Sequence, residues 1–154
     1  MRTWVVICAV LMTMSAAIAQ QAKPRVLLGY EKTRFKTALI KQMEQTLNAQ
    51  GCDVVVVRHS KKKGLGNHKA SDFDAVFITN SGAHSKVRPW ITNWLNQNKA
   101  YGGRVLLHTT QTSNWEVKTT VDAVTSASSK RDANSLAAEY VATLNTILES
   151  KPTE

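Results

Sequence analysis

Short apolar runs alternate with segments of helical spacing along most of this chain. Each run is apolar at successive positions, as is typical of parallel strands covered by helices on both faces. The runs occupy residues 25–30, 53–58, 73–79 and 104–109. This alternation predicts an α/β fold, a three-layer sandwich around a parallel sheet, whose binding residues lie at the carboxyl ends of the strands.

The first helix is predicted over residues 33–50, where apolar residues recur every fourth position. Gly51 is a suitable stop for it. Residues 59–72 are rich in Lys, Gly, Ser and Asn, which indicates a long loop with at most a turn of helix. A fifth strand is predicted over about 119–125.

Two further helices complete the alternation. One follows the third strand, with Pro89 in its first turn and with Trp90 and Trp94 on an apolar face that we assign to the core. The last helix is predicted over about 131–149, and a capping box beginning at Ser129 marks its start.

The N-terminus has the features of a removable export signal. A positive start at Arg2 precedes a mostly apolar stretch over 4–14, and Ala17 and Ala19 fit the small-x-small pattern of a cleavage site. The stretch is shorter than the roughly 20 residues of a membrane-spanning helix. We therefore expect a signal peptide over 1–19, one domain over 24–150, and a periplasmic or secreted protein with no membrane contact after cleavage.

The remaining composition narrows the possible partners. The formal charge is +9, and the one dense basic run is Lys61–Lys63. We interpret that run as a solvated loop, with a specific polyanion site as the alternative. Because no nucleic-acid motif accompanies it, nucleic acid is not expected as a partner. Cys52 is the one cysteine left after cleavage, so no internal disulfide forms, and a buried, inert thiol is expected there.

Histidines are the main candidates for metal or acid–base chemistry. All four, His59, His68, His84 and His108, fall at or just beyond predicted strand ends. Their spacing is not that of a metal motif, so no metal ligand is assigned. His59 and His68 are predicted to lie in the solvated loop. No nucleophile pattern is present either, so no catalytic residue is assigned and enzymatic activity stays open.

From Arg25 to about Leu148 the order of elements resembles the flavodoxin-like family. The resemblance implies a parallel five-stranded sheet of order 2-1-3-4-5 that binds FMN at the strand ends. Tyr30–Thr37 corresponds to the family's phosphate loop, with Arg34-Phe35-Lys36 in place of its Gly-Asn-Thr. On this resemblance the phosphate is expected at Lys32, Thr33, Arg34, Lys36 and Thr37.

The same resemblance implies that the flavin ring lies between the loops after the third and fourth strands. The residues expected around the ring are Asn80, Ser81, Gly82, His84, Thr109, Thr110 and Trp115. A separate short signal, Asp122–Ser128, resembles the motif at which exported flavoproteins receive FMN through a phosphoester. Ser128 would be the acceptor hydroxyl on that alignment, and capping of the last helix is the alternative role of this loop.

The leading hypothesis is therefore an exported flavodoxin-like protein that binds FMN and transfers electrons to an unidentified redox partner protein. Two alternatives stay open. One is a binding or interaction module that keeps the fold without the cofactor. The other is a ThuA-like domain, because Gly102–Thr110 is also similar to those amidotransferase-type α/β domains.

Overall fold

The computed structural model describes residues 22–82, 86–111, 123–127 and 132–150, with the main chain alone for 111 and 123–127. Five strands and three α-helices follow one another along it. They are β1 (Arg25–Tyr30), α1 (Arg34–Ala49), β2 (Asp53–Arg58), β3 (Ala75–Ser81), α2 (Pro89–Gln97), β4 (Val105–Gln111), β5 (Ala123–Ala127) and α3 (Ala133–Glu149).

The strands form one sheet in which every pairing is parallel. The first four lie in the order β2-β1-β3-β4, which confirms the predicted parallel α/β arrangement, and β5 pairs alongside β4. The register places Asn80 beside Thr109 and Ser81 beside Thr110. The carboxyl ends of β1, β3 and β4 therefore meet at one edge, where α1 also begins.

Two apolar layers cover this sheet. Val26 and Leu28 of β1 face α1 and α3, while Leu27 faces α2 on the opposite side. Each of these side chains is fully buried. Burial of one such side chain contributes about 1.5–3 kcal/mol to the stability of the fold. Because neighbouring residues of one strand enter opposite layers, both layers depend on the strands between them.

Helix α1 begins and ends as its sequence predicts. The Thr33 hydroxyl accepts a hydrogen bond from the Lys36 main-chain N–H at 3.1 Å, which caps the helix. Gly51 adopts a φ of 87° directly after the helix, a conformation that glycine reaches without strain. Cys52 follows it, 9% exposed, and burial raises the pKa of its thiol.

Several predicted boundaries are wrong by a few residues. Strand β3 begins at Ala75, because residues 70–72 form a short 3-10 turn and Asp74 bonds to the main chain of Arg25. Helix α3 begins at Ala133 with Asp132 in the cap position, so the capping box predicted from Ser129 does not start it. Within the described residues, no helix combines the length and apolar character that spanning a membrane requires.

Candidate ligand-binding site

The carboxyl edge brings together several of the predicted ligand residues. The Asn80 amide donates to the Thr109 hydroxyl at 3.1 Å, and the Gly82 N–H donates to the Thr110 carbonyl oxygen at 3.1 Å. Ser81 joins them through Lys36, whose Nζ lies 2.7 Å from its hydroxyl. The remaining phosphate-loop candidates are exposed around the start of α1, namely Lys32, Thr33, Arg34 and Thr37.

Three other predicted residues, His84, Trp115 and Ser128, lie outside the described residues. The placement predicted for the flavin ring between the two loops, and the phosphoester at Ser128, therefore stay predictions.

A buried ion pair lies at the centre of this edge. Lys36 is 1% exposed, and its Nζ contacts Glu31 Oε2 at 2.7 Å, while Arg88 Nε lies 3.7 Å from the other carboxylate oxygen. Burial raises the pKa of Glu31, but hydrogen bonding and attraction from Lys36 outweigh it, so that the pKa lies below its usual value. Burial lowers the pKa of Lys36, and Glu31 offsets part of that effect.

Because of this pair, Lys36 does not offer its charge to an FMN phosphate in the way the resemblance implies. The ammonium of Lys36 is already compensated by the Glu31 carboxylate, so it adds little attraction for a phosphate. The Thr33 hydroxyl is engaged by the helix itself. Residues 30–37 also contain no glycine through which the backbone could approach an anion closely.

His59 is an interior residue, and its predicted position in a solvated loop is wrong. Its side chain is 2% exposed, its Nε2 lies 3.1 Å from the Thr79 carbonyl oxygen, and its Nδ1 lies 3.2 Å from Trp90 Nε1. Since an indole nitrogen only donates, Nδ1 is the acceptor and Nε2 carries the proton. Burial lowers the pKa of this imidazole to about 4, which keeps it neutral.

His108 lies inside the fold, under α3, and not at the rim of the sheet. It is fully buried, with ring centroids 4.9 Å from Tyr140 and 6.1 Å from Phe77. Burial, with a smaller effect of Lys36, lowers its pKa to about 3. The described residues contain no group of three or more His, Cys, Asp or Glu side chains placed to hold a metal ion.

Trp90 is only partly buried, in contrast to its predicted core position, and a groove surrounds it. Three adjoining depressions of about 290, 260 and 440 Å³ share Trp90 in their walls. We call their union the Trp90 groove; its charged lining residues are Glu31, Lys32, Arg58, Lys61, Lys62 and Lys63. Among the described lining residues Glu31 is the single carboxylate, and Lys36 pairs with it.

The basic loop beside Trp90 has a defined conformation. Ser60 and Lys63 exchange main-chain hydrogen bonds of 2.9 and 3.4 Å, and Leu65 anchors the loop in the core at 2% exposure. Gly64 closes the turn with a φ of 107°. A Cβ at this position would lie 2.7 Å from the Arg58 carbonyl oxygen, so that only glycine fits.

Sequence reasoning did not identify Glu31, His59, Arg88 and Trp90 as site residues. Glu31 had a usable signal, because it directly follows a strand at its carboxyl end and is an acid among several cations. The other three are brought together by long-range packing. Trp90 was assigned to the core by its helical spacing, which does not distinguish a core residue from one at the edge of a helix face.

Comparison with known proteins agrees with this architecture. The chain is similar in structure to a flavodoxin from the domain Archaea, with a TM-score of 0.53 and 9% sequence identity over 80% of this chain and 98% of that chain. No protein-family model and no curated protein matches the sequence. The chain therefore has a flavodoxin-like fold, as its sequence pattern indicated.

Proposed function

We propose that this chain is a binding module of flavodoxin-like fold that holds an anionic ligand in the Trp90 groove without a flavin. One observation carries the proposal. The lysines and the arginine of the groove line the same depressions as an accessible indole, while the one carboxylate among the described lining residues, that of Glu31, is compensated by Lys36. A positive surface of this kind attracts anions, and a partly exposed aromatic ring adds a surface for any apolar part of the ligand.

Most of the charged side chains that line the groove are exposed and are not part of a buried ion pair. Lys32, Arg58 and Lys63 all line the depression of about 290 Å³, and each is exposed. Their charges attract an incoming anion without breaking a buried contact, in contrast to that of Lys36. Binding of this kind weakens as salt is added, because the Debye length shortens to about 10 Å at 0.1 M.

Calorimetric titration with inorganic pyrophosphate tests the proposal. Replacement of Lys32 and Lys63 together by Ala is expected to weaken binding about tenfold or more and to flatten its salt dependence. Lys41→Ala is the matched control, because Lys41 is exposed on α1 and is not among the groove residues. No binding by the unmodified protein, or equal losses in the control and the double variant, would refute the proposal.

A second candidate is FMN binding with electron transfer, which the sequence predicted. The similarity to an archaeal flavodoxin favours it, as do the polar carboxyl ends of β3 and β4. In this candidate the sheet has the full five-strand order 2-1-3-4-5 that the resemblance implies. In it the flavin supplies the redox chemistry, and the exposed Lys32, Arg34 and Thr37 would hold the phosphate.

The colour of the protein separates the two candidates. A flavoprotein purified with flavin available absorbs at about 450 nm, whereas the module proposed above is colourless and takes up no added FMN. Fluorescence in an acid-precipitated pellet reveals flavin held covalently. Persistence of that fluorescence after Ser128→Ala would exclude Ser128 as the attachment site.

We also propose that the protein is exported, with cleavage after Ala19. The support is the charge and hydropathy pattern of residues 1–19. Mass measurement of protein recovered from the periplasm or medium is expected to give a chain that begins at Gln20. A product that keeps Met1–Ala19, or one retained in the cytoplasm, would contradict export.

A further inference from the structure

We infer that the ligand of the Trp90 groove is an acidic saccharide, a short sugar chain carrying carboxylate or sulfate groups. This inference rests on the proposed function and makes it more specific. It depends on three kinds of side chain that line the same depressions: an indole, lysines and side-chain amides.

Side-chain amides are the first feature of the groove that suits a sugar. Asn67, Asn93 and Gln97 all line the depression that contains Trp90, and all three are exposed. An amide carries both donors and acceptors, and a sugar hydroxyl also does both, so the two match in either direction. An inorganic anion would use only the donors, which leaves the acceptor half of this lining without a role.

The indole of Trp90 is the second feature that suits a sugar. Its nitrogen is fixed by His59 at 3.2 Å, so the ring is held in place while part of its surface stays accessible. An indole presents a flat apolar face beside its polar edge. The C–H face of a sugar ring is also flat and apolar, and in the inferred complex it packs against the accessible part of the indole while the hydroxyls reach the amides.

The lysines are the third feature, and they suit the acidic groups of the saccharide. Lys61 and Lys63 both line the depression of about 260 Å³ beside Trp90, and each also lines one of the adjoining depressions. A lysine is a compact charge that pairs with carboxylate or sulfate without a fixed two-point geometry. The adjoining depressions suit an extended ligand with charges along its length.

Single-stranded nucleic acid is the main competing polyanion, and the groove favours it less. Its binding relies on successive aromatic side chains that stack successive bases. Among the described groove residues, Trp90 is the one aromatic with accessible surface, because Trp94 is 2% exposed.

Calorimetry with four probes tests the inference: a heparin-derived hexasaccharide, maltohexaose as its neutral counterpart, inorganic pyrophosphate and an oligo-dT hexamer. We expect the hexasaccharide to bind about tenfold or more tightly than pyrophosphate and oligo-dT, and maltohexaose to bind least. Oligo-dT binding as tight as that of the hexasaccharide would overturn the saccharide assignment.

Two variants distinguish this inference from the proposed function. Trp90→Leu and Asn93→Ala are each expected to weaken hexasaccharide binding about fivefold to tenfold, with less than about twofold change for pyrophosphate. Asn93 is exposed, so that its replacement keeps the test valid if loss of Trp90 impairs folding. If pyrophosphate binds but these variants leave the hexasaccharide unaffected, the inference fails and the proposed function stands. If no anion binds, both fail.

Discussion

At the scale of single residues, the pair of Lys36 with Glu31 determines both stability and ligand access. The ammonium is almost completely removed from solvent, and it has two oxygen partners at 2.7 Å, Glu31 Oε2 and Ser81 Oγ. The cost of desolvating such a pair opposes the attraction between its charges, so the pair changes the stability of the fold little. Removal of one partner, in contrast, leaves a buried charge uncompensated.

Replacement of Lys36 by Met is expected to lower the free energy of unfolding by about 3 kcal/mol, because the Glu31 carboxylate then stays buried without its main partner. The double variant with Glu31→Gln should recover most of that loss, since neither charge remains. Urea denaturation of the four proteins in this cycle measures both effects. If the stability losses of the two single variants add up in the double variant, the pair is not coupled.

His59 and His108 make the fold sensitive to acid. Burial lowers the pKa of His59 from 6.5 to about 4, so the unfolded chain binds the proton first as the pH falls. The contribution of this residue to stability is therefore complete above about pH 6.5 and decreases as the pH falls to about 4, by about 3 kcal/mol in all. His108, with a pKa of about 3, acts in the same direction.

His59→Gln is accordingly expected to reduce the loss of stability between about pH 6.5 and 4 by roughly half, with the remainder due to His108. An amide at this position keeps a donor for Thr79 and an acceptor for Trp90. Chemical denaturation at a series of pH values gives the slope for each protein. A variant whose slope matches that of the parent would contradict the burial argument.

At the scale of elements, the turn that ends at Gly64 fixes the basic loop against β2. Gly64→Ala is expected to destabilise the fold by about 2 kcal/mol or more, because the φ of 107° is strained for alanine and the new Cβ meets the Arg58 carbonyl.

Gly66→Ala is the matched control, since a Cβ there has nothing within 4 Å. We expect its stability to stay within about 0.5 kcal/mol of the parent. Thermal denaturation of the two variants side by side checks the pair. Gly64→Ala should also weaken pyrophosphate binding, because the turn places Lys63 in the Trp90 groove. Equal effects at both positions would mean that the turn is not the constraint.

At the scale of the whole molecule, the two apolar layers share one sheet. Val26 and Leu28 of β1 contribute to one layer, and Leu27 between them contributes to the other. Loss of either layer would expose the strands on which the other depends. The cleaved protein is therefore expected to unfold in a single transition, with coincident curves from far-ultraviolet circular dichroism and tryptophan fluorescence. Two separated transitions would contradict this.

The sequence predicted more of the fold than of the site. The strand runs were recognisable because parallel strands buried on both faces leave no polar alternation, and the Thr33 cap and Gly51 stop were local signals. The site was harder to predict. Lys36 was assigned to phosphate because residues 30–37 correspond to the phosphate loop of the flavodoxin-like family, but its partners Glu31 and Ser81 become neighbours only when β1 and β3 pair.

The sequence alone determined the parallel α/β sheet and the edge at which its loops gather, since period and apolar content follow from which faces are buried. Which polar residues at that edge are exposed depends on the packing of the folded chain. Packing removed Lys36 and His59 from solvent and left part of Trp90 accessible, because burial depends on contacts between elements distant in the chain.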